Sequence, residues 1–130
     1  DILQTFKTVS QLRPHLNELN YVETINRLRS TYNYNLVAVV YNNEVTAVAG
    51  YRVTESLAWG KYFYVDDLIT SEDHRKNGYA QLLWDWLIQE AKQNNCEQFH
   101  LDSGVQRYDA HRFYLKNNLN ITCHHFQLNF

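Results

Sequence analysis

The residues with the clearest chemical potential lie where a strand-like run, residues 66–70, passes through a short loop into an amphipathic helix. The loop carries Arg75, and Gly78 and Ala80 follow at the start of the helix. The first turn of a helix has backbone N–H groups without intrahelical partners and the positive end of the helix dipole, so it binds anions. Gly78 lets a ligand approach the backbone closely. The segment therefore predicts a site for a phosphate-bearing cofactor.

The glycine pattern excludes two common phosphate sites. A Walker loop needs Gly-Lys-Ser/Thr and a dinucleotide fingerprint needs three spaced glycines, and the chain has neither. A second segment, residues 110–119, predicts a short helix with Ala110, Phe113 and Tyr114 on one face. The segment ends in an Asn-Asn pair, which suits a left-handed helix cap.

Together the two segments resemble the GNAT superfamily, the general-control-related N-acetyltransferases, in an uncharacterised branch. Its phosphate loop has the pattern Arg-x-x-Gly-x-Gly/Ala, and a later helix has the pattern Ala-x-x-x-Tyr closing on Gly-Phe. The positions that match are Arg75, Gly78, Ala80, Ala110 and Tyr114, and Asn118-Leu119 stands at the place of the Gly-Phe pair. The resemblance covers most of the chain. It implies a single-domain acyl-CoA N-acyltransferase fold and an enzyme that transfers an acetyl group from acetyl-CoA directly to a primary amine.

The resemblance also implies a role for each matching position. Tyr114 corresponds to the tyrosine that protonates the departing thiolate, as a phenol held near the sulfur can do. The alternative for Tyr114 is a core aromatic, in a chain with 10 Tyr. The strand whose backbone pairs with the pantetheine arm corresponds to Leu68, Ile69 and Thr70. The pyrophosphate loop corresponds to Arg75, Lys76, Asn77, Gly78, Tyr79 and Ala80.

Three positions depart from the family pattern. Lys76 and Asn118 stand where glycines are usual, and Arg107 stands where an asparagine that touches the cofactor is common. None of these changes blocks the fold. Lys76 and Arg107 add positive charge that suits phosphate.

The group that deprotonates the amine is a carboxylate or a water chain. Asp66 and Asp67 are adjacent, so in a regular strand they point to opposite faces and only one faces the cleft. By family position we expect this one to be Asp67. The alternative is that one aspartate caps a turn or pairs with an arginine. The six histidines show no metal-ligand spacing, so we expect no metal site.

Hydrophobic periodicity predicts the elements that must position these residues. Helices are expected at 2–16, 22–32, 78–92 and 109–117. Strands are expected at 36–41, 45–49, 61–70, 98–102 and 121–130. Pro14 interrupts the first helix, Asn42-Asn43 forms a hairpin turn, and Gly50 is a candidate bulge. This order predicts an α/β domain over residues 1–130, with a mixed, partly antiparallel sheet flanked by helices.

Composition limits the remaining possibilities. The formal charge is −2 and the pI about 6.3, with no long basic run, so we expect no nucleic-acid partner. The chain has no apolar segment long enough to span a membrane, and its two cysteines suit a reducing cytoplasm. We expect a few residues to precede Asp1. The aromatic content of 15% allows a homodimer interface, although scattered aromatics more often fill a core.

Three functions remain after these exclusions, and one of them is a protein-interaction domain with a degenerate cofactor cleft, for which only the departures at Lys76 and Asn118 speak. The first is an acetyl-CoA-dependent N-acetyltransferase that acts on an amine-bearing small molecule or protein. Acidic groups near the cleft would suit a cationic acceptor. The alternative is a non-catalytic acyl-CoA-binding or regulatory module with the same fold, which would bind CoA without turnover.

Overall fold

A four-stranded sheet in the order β1-β2-β3-β4 organises the chain in a computed structural model that describes all of residues 1–130. Its strands are β1 (Asn35–Tyr41), β2 (Glu44–Ser56), β3 (Gly60–Thr70) and β4 (Gln98–Leu101). The helices are α1 (Phe6–Leu12), α2 (Tyr21–Tyr32), α3 (Tyr79–Gln93) and α4 (Tyr108–Lys116). The predicted α/β class is confirmed. The chain divides into two compact units, Asp1–His100 and Leu101–Phe130.

Two antiparallel hairpins join the first three strands. Asn42 and Asn43 form the first turn, as predicted, with φ of 51° and 62°, the left-handed conformation that tight hairpin turns require and Asn tolerates. The second hairpin is longer than predicted, because β2 continues through Thr54 to Ser56 instead of ending near Ala49. Residues 54–56, which have no continuous apolar pattern, are held in β2 by pairing with β3.

The helices of the first unit cover opposite faces of the sheet. Val48 of β2 packs with Val9, Tyr21 and Ile25 in a buried cluster beneath α1 and α2. Tyr51, three residues further, therefore points to the other face, where its hydroxyl donates to Glu90 of α3 at 2.8 Å. On that face Tyr51 also stacks on Phe63 and contacts Trp86. Both faces of the central strands are therefore covered.

A β-bulge interrupts the pairing of β2 with β3. Gly50 pairs with Asp67 and Tyr51 pairs with Val65, so Asp66 is an extra residue in β3. The irregularity lies at Gly50 of β2 as predicted, but the inserted residue, Asp66, belongs to β3. The bulge shifts the alternation of side chains in β3 by one residue.

Gly50 is required by close approach rather than by its backbone angle. The chain leaves α2 through Asn33, whose φ of 59° is left-handed, and Tyr34 then crosses the backbone of Gly50. A Cβ atom at Gly50 would lie 1.8 Å from Oη of Tyr34 and 2.3 Å from Cζ. Tyr34 is buried, with 6% of its surface exposed, so its ring has little room to move.

The second unit contains α4 and the residues that follow it. α4 ends in the predicted left-handed cap: Asn118 has φ of 70°, Leu119 N donates to Tyr114 O, and Asn118 N donates to Leu115 O. The strand predicted at 121–130 is wrong. Residues 120–130 have no regular structure, and Phe126, for example, is 91% exposed. An alternating apolar pattern favours a strand, but a strand forms only where another strand supplies hydrogen bonds.

We expect Gly50→Ala to lower the free energy of unfolding by about 1–3 kcal/mol, because the new methyl group collides with the buried ring of Tyr34. The measurement is urea denaturation of a double-mutant cycle with Tyr34→Ala. Removing the ring should abolish most of the additional effect of Gly50→Ala. Equal effects in both backgrounds would contradict the close contact.

Candidate active site

The residues predicted to bind phosphate lie in the loop between β3 and α3 and at the start of α3. α3 begins at Tyr79 after Gly78, which has φ of 82°, and no side chain caps the first turn. A Cβ atom at Gly78 would meet nothing within 4 Å, so the space above the helix start is open. Arg75, Lys76 and Asn77 are exposed around it. Free N–H groups, open space and two cations form an arrangement that fits a pyrophosphate.

Neighbouring elements fix the two ends of this loop. Nε2 of His74 lies 2.9 Å from Oε2 of Glu44, and the amide of Asn77 donates to His74 O at 3.2 Å. The ring of Tyr79 contacts the rings of His74 and Tyr41. Lys76 has φ of 66°, a left-handed conformation, at the position where the family pattern has glycine. The lysine therefore adopts the backbone conformation that glycine favours.

The end of β3 that precedes the loop has an open edge. Leu68 and Thr70 pair with β2 on one side of the strand. On the other side, β4 approaches near the start of β3, where Glu97 N donates to Lys61 O at 2.7 Å and Phe99 stacks on Phe63. β4 has only 4 residues, so it cannot extend from Lys61 to Leu68. The backbone of Leu68, Ile69 and Thr70 therefore has an edge available for hydrogen bonds to a ligand.

Asp66 and Asp67 lie on the same face of β3, which corrects the prediction that adjacent residues must diverge. The bulge at Asp66 is the physical reason. Both carboxylates line one cavity of about 400 Å³, hereafter the bulge cavity. Its lining residues are Arg13, Leu28, Tyr32, Tyr34, Arg52, Asp66 and Asp67.

Each carboxylate is held by an arginine. Arg52 donates from Nε and Nη2 to the two oxygens of Asp66, at 2.8 and 2.9 Å. Arg13 donates from Nε to Oδ1 of Asp67 at 2.9 Å and from Nη2 to the backbone oxygen of Asp66 at 3.0 Å. The guanidinium of Arg52 also lies 5.1 Å from the ring centroid of Tyr64. The acidic face expected from the sequence is therefore balanced by two cations.

The second oxygen of Asp67 accepts a hydrogen bond from Tyr34, whose Oη lies 2.7 Å from Oδ2. Burial raises the pKa of Tyr34 far above its ordinary value, and the neighbouring charge of Asp67 raises it further. Tyr34 is therefore protonated throughout the physiological range and remains a donor to Asp67. Arg13 and Tyr34 together fix both oxygens of the predicted base.

Sequence patterns did not reveal Arg13, Arg52 or Tyr34 as site residues. Arg13 and Asp67 are 54 positions apart, and nothing in the local pattern around either residue links them. One segment of the chain leads from the bulge cavity to α3. It contains Asp66 and Asp67, the edge residues 68–70 and the loop residues 75–80. No group of three or more His, Cys, Asp or Glu side chains is placed to hold a metal ion.

In the second unit, Tyr114 lies on α4 and is half-buried. Burial raises the pKa of Tyr114, and the positive charge of Arg107 partly opposes this shift. The phenol is therefore protonated at neutral pH, which is the state that a proton donor needs. His111 of the same helix bonds through Nε2 to Gly104 O at 2.8 Å.

The sequence of this chain is similar to those of known acetyltransferases. The family model described as Acetyltransferase (GNAT) family matches residues 2–118. The uncharacterized N-acetyltransferase YhdJ of Bacillus subtilis (strain 168) is 30% identical over 111 residues, which are 85% of this chain and 78% of the relative. No helix of this chain has both the length and the apolar character that a membrane span requires.

Two solved structures show the same fold. A transcriptional regulator from Bacillus halodurans C-125 has a TM-score of 0.88 at 21% identity and covers 100% of this chain and 93% of its own. A ribosomal-protein-alanine N-acetyltransferase from Brucella melitensis biovar Abortus 2308 has a TM-score of 0.84 at 14% identity, with coverage of 100% and 94%. The sheet and the family match lead to one conclusion: this chain belongs to the GNAT family of acetyltransferases.

Proposed function

We propose that this enzyme binds acetyl-CoA along the end of β3 and the loop before α3, and transfers its acetyl group directly to a primary amine. The observation that carries the proposal is the uncapped start of α3, which the loop of residues 71–78 joins to the open edge of β3. The backbone of Leu68, Ile69 and Thr70 would bond to the pantetheine arm. The pyrophosphate would be held by the N–H groups of Tyr79 and Ala80 together with Arg75 and Lys76.

Acetyl-CoA supplies an activated acyl group, and the proposed role of the protein is to orient the reactants and move two protons. We assign the first proton to Asp67, whose carboxylate accepts it from the ammonium of the acceptor. Arg13 and Tyr34 hold this carboxylate in one orientation, which supports the assignment. We assign the second proton to Tyr114, whose protonated phenol would give it to the departing thiolate.

A non-catalytic acyl-CoA-binding module is the second candidate. One observation favours it: both carboxylates of the bulge cavity already form ion pairs with arginines. The transcriptional regulator from Bacillus halodurans shares this fold, but at 21% identity the likeness extends to the fold alone. A binding module would take up acetyl-CoA and release no thiol with any amine.

We expect saturating acetyl-CoA and CoA to raise the thermal unfolding temperature, whereas ATP should not. A ligand that binds only the folded state adds about 2.7 kcal/mol of stability at about a hundred times its Kd. Arg75→Gln should reduce the shift, and Arg29→Gln, which removes an exposed charge from α2, should not. The same shift with ATP, or none with any ligand, would contradict the proposed cofactor site.

We expect Tyr114→Phe to lower turnover by about a hundredfold or more, because the thiolate would leave without its proton donor. Binding of acetyl-CoA should not change. Tyr108→Phe is the matched control, since Tyr108 lies on the same helix and is 67% exposed. The measurement is thiol release with amine acceptors, alongside calorimetric titration with acetyl-CoA. Unchanged turnover in Tyr114→Phe would remove Tyr114 from the mechanism.

A further inference from the structure

We infer that the bulge cavity takes a small amine that carries an anionic group, a carboxylate or a phosphate, on the same molecule. This inference rests on the proposed function, because it assigns the cavity at Asp67 to the acceptor. It differs from the cationic acceptor expected from the sequence. Three features of the cavity support it: the balance of its charges, the donors left free in it, and its size.

The charges that line the bulge cavity cancel. Two arginines face two aspartates, in pairs at 2.8 and 2.9 Å. A polyamine or another purely cationic acceptor would meet no net negative charge there. It would also approach two guanidinium groups, and like charges at short range repel. A molecule with one positive and one negative group meets a partner for each.

The guanidinium groups retain capacity for an anion. Arg13 and Arg52 each donate from Nε and Nη2 only, so Nη1 of each makes no hydrogen bond in the structure. The two side chains are 40% and 35% exposed, so a ligand can reach them. Guanidinium N–H groups bind carboxylate and phosphate oxygens in charge-assisted hydrogen bonds. These donors provide the site for the anionic group.

The aspartates retain capacity for the amine. An ionised carboxylate offers about four acceptor positions. Asp67 uses one for Arg13 and one for Tyr34, and it is 16% exposed. An ammonium group can therefore bind Asp67 without displacing either partner. Leu28 and Tyr32 line the same cavity and offer apolar surface to the part of the molecule between the two charged groups.

The size of the cavity favours a small molecule over a polypeptide. Its volume of about 400 Å³ lies near the lower end of ligand pockets, which span roughly 300–1,000 Å³. An amino acid or an amino phosphate fits within this volume together with some water. An internal lysine or the N-terminus of a protein has no anionic group at a fixed distance from its amine. Such acceptors would leave the free Nη1 donors without a partner.

The test compares matched pairs of ligands that differ only in the anionic group. Phenylalanine is compared with phenethylamine, lysine with cadaverine, and O-phosphoethanolamine with ethanolamine. Each is titrated calorimetrically into the wild-type protein, with and without CoA. In at least one pair, the member with the anionic group should bind about tenfold tighter or more, as expected for a charge-assisted hydrogen bond. The pair that shows the difference identifies carboxylate or phosphate.

Variants of the two arginines test whether this difference in affinity arises in the bulge cavity. Arg13→Gln and Arg52→Gln should each reduce it, whereas Arg27→Gln, which removes an exposed charge from α2, should leave it unchanged. Arg13→Lys and Arg52→Lys keep the charge and serve if a glutamine variant does not fold. The comparison within wild type needs no variant, so it tests the inference in any case.

The outcomes separate this inference from the proposed function. Equal or tighter binding of the partner without the anionic group, or no binding in any pair, would overturn the inference. If acetyl-CoA still binds in that case and other amines release thiol, the proposed function stands. A clear difference within a pair supports the inference even if no thiol is released, and that result would identify a binding module.

Discussion

One inserted residue in β3 determines what the face beneath α1 and α2 can bind. Without the bulge at Asp66, Asp67 would point toward α3, away from Arg13 and Tyr34. With it, both carboxylates enter one cavity while Ile69, two residues beyond Asp67, still packs against the core cluster beneath α1 and α2. The bulge thus allows one strand to contain a charged section beside the bulge cavity and an apolar section beneath the helices.

The side chain of Arg13 offsets the energetic cost of the bulge. A bulge leaves a backbone group outside the regular ladder, and a buried unpaired carbonyl is destabilising. Nη2 of Arg13 donates to that carbonyl of Asp66, while Nε pairs with the carboxylate of Asp67. Because Arg13 directly follows α1, the same side chain fixes the end of α1 to the middle of β3. Exposed ion pairs contribute little to the free energy of folding. The guanidinium of Arg13, however, also binds the carbonyl that the bulge leaves unpaired, and it orients the proposed base.

The parts of the fold that sequence patterns predicted are those set by local chemistry. The Asn42-Asn43 turn, α3 and the left-handed cap at Asn118 all follow from neighbouring residues. The site needed contacts that no local pattern records. Arg13 and Asp67 lie far apart in sequence, and the inserted residue lies in β3 although Gly50 of β2 provided the signal. The strand predicted at 121–130 failed for the related reason that strand pairing depends on a partner elsewhere in the chain.

The proposed cofactor end and the proposed acceptor end of the site differ in the chemical groups that they offer to a ligand. At the phosphate end, Lys76 departs from glycine but keeps φ at 66°, at a strain of about 1–2 kcal/mol. Its side chain is exposed, so the substitution alters charge and leaves the backbone path intact. The proposed recognition there uses backbone N–H groups, which tolerate changes of side chain. At the end proposed for the acceptor, the groups that line the cavity are side chains: Arg13, Arg52, Asp66 and Asp67 around a bulge. A substitution there changes which charges a ligand meets, so acceptor choice can vary while the cofactor loop keeps its shape.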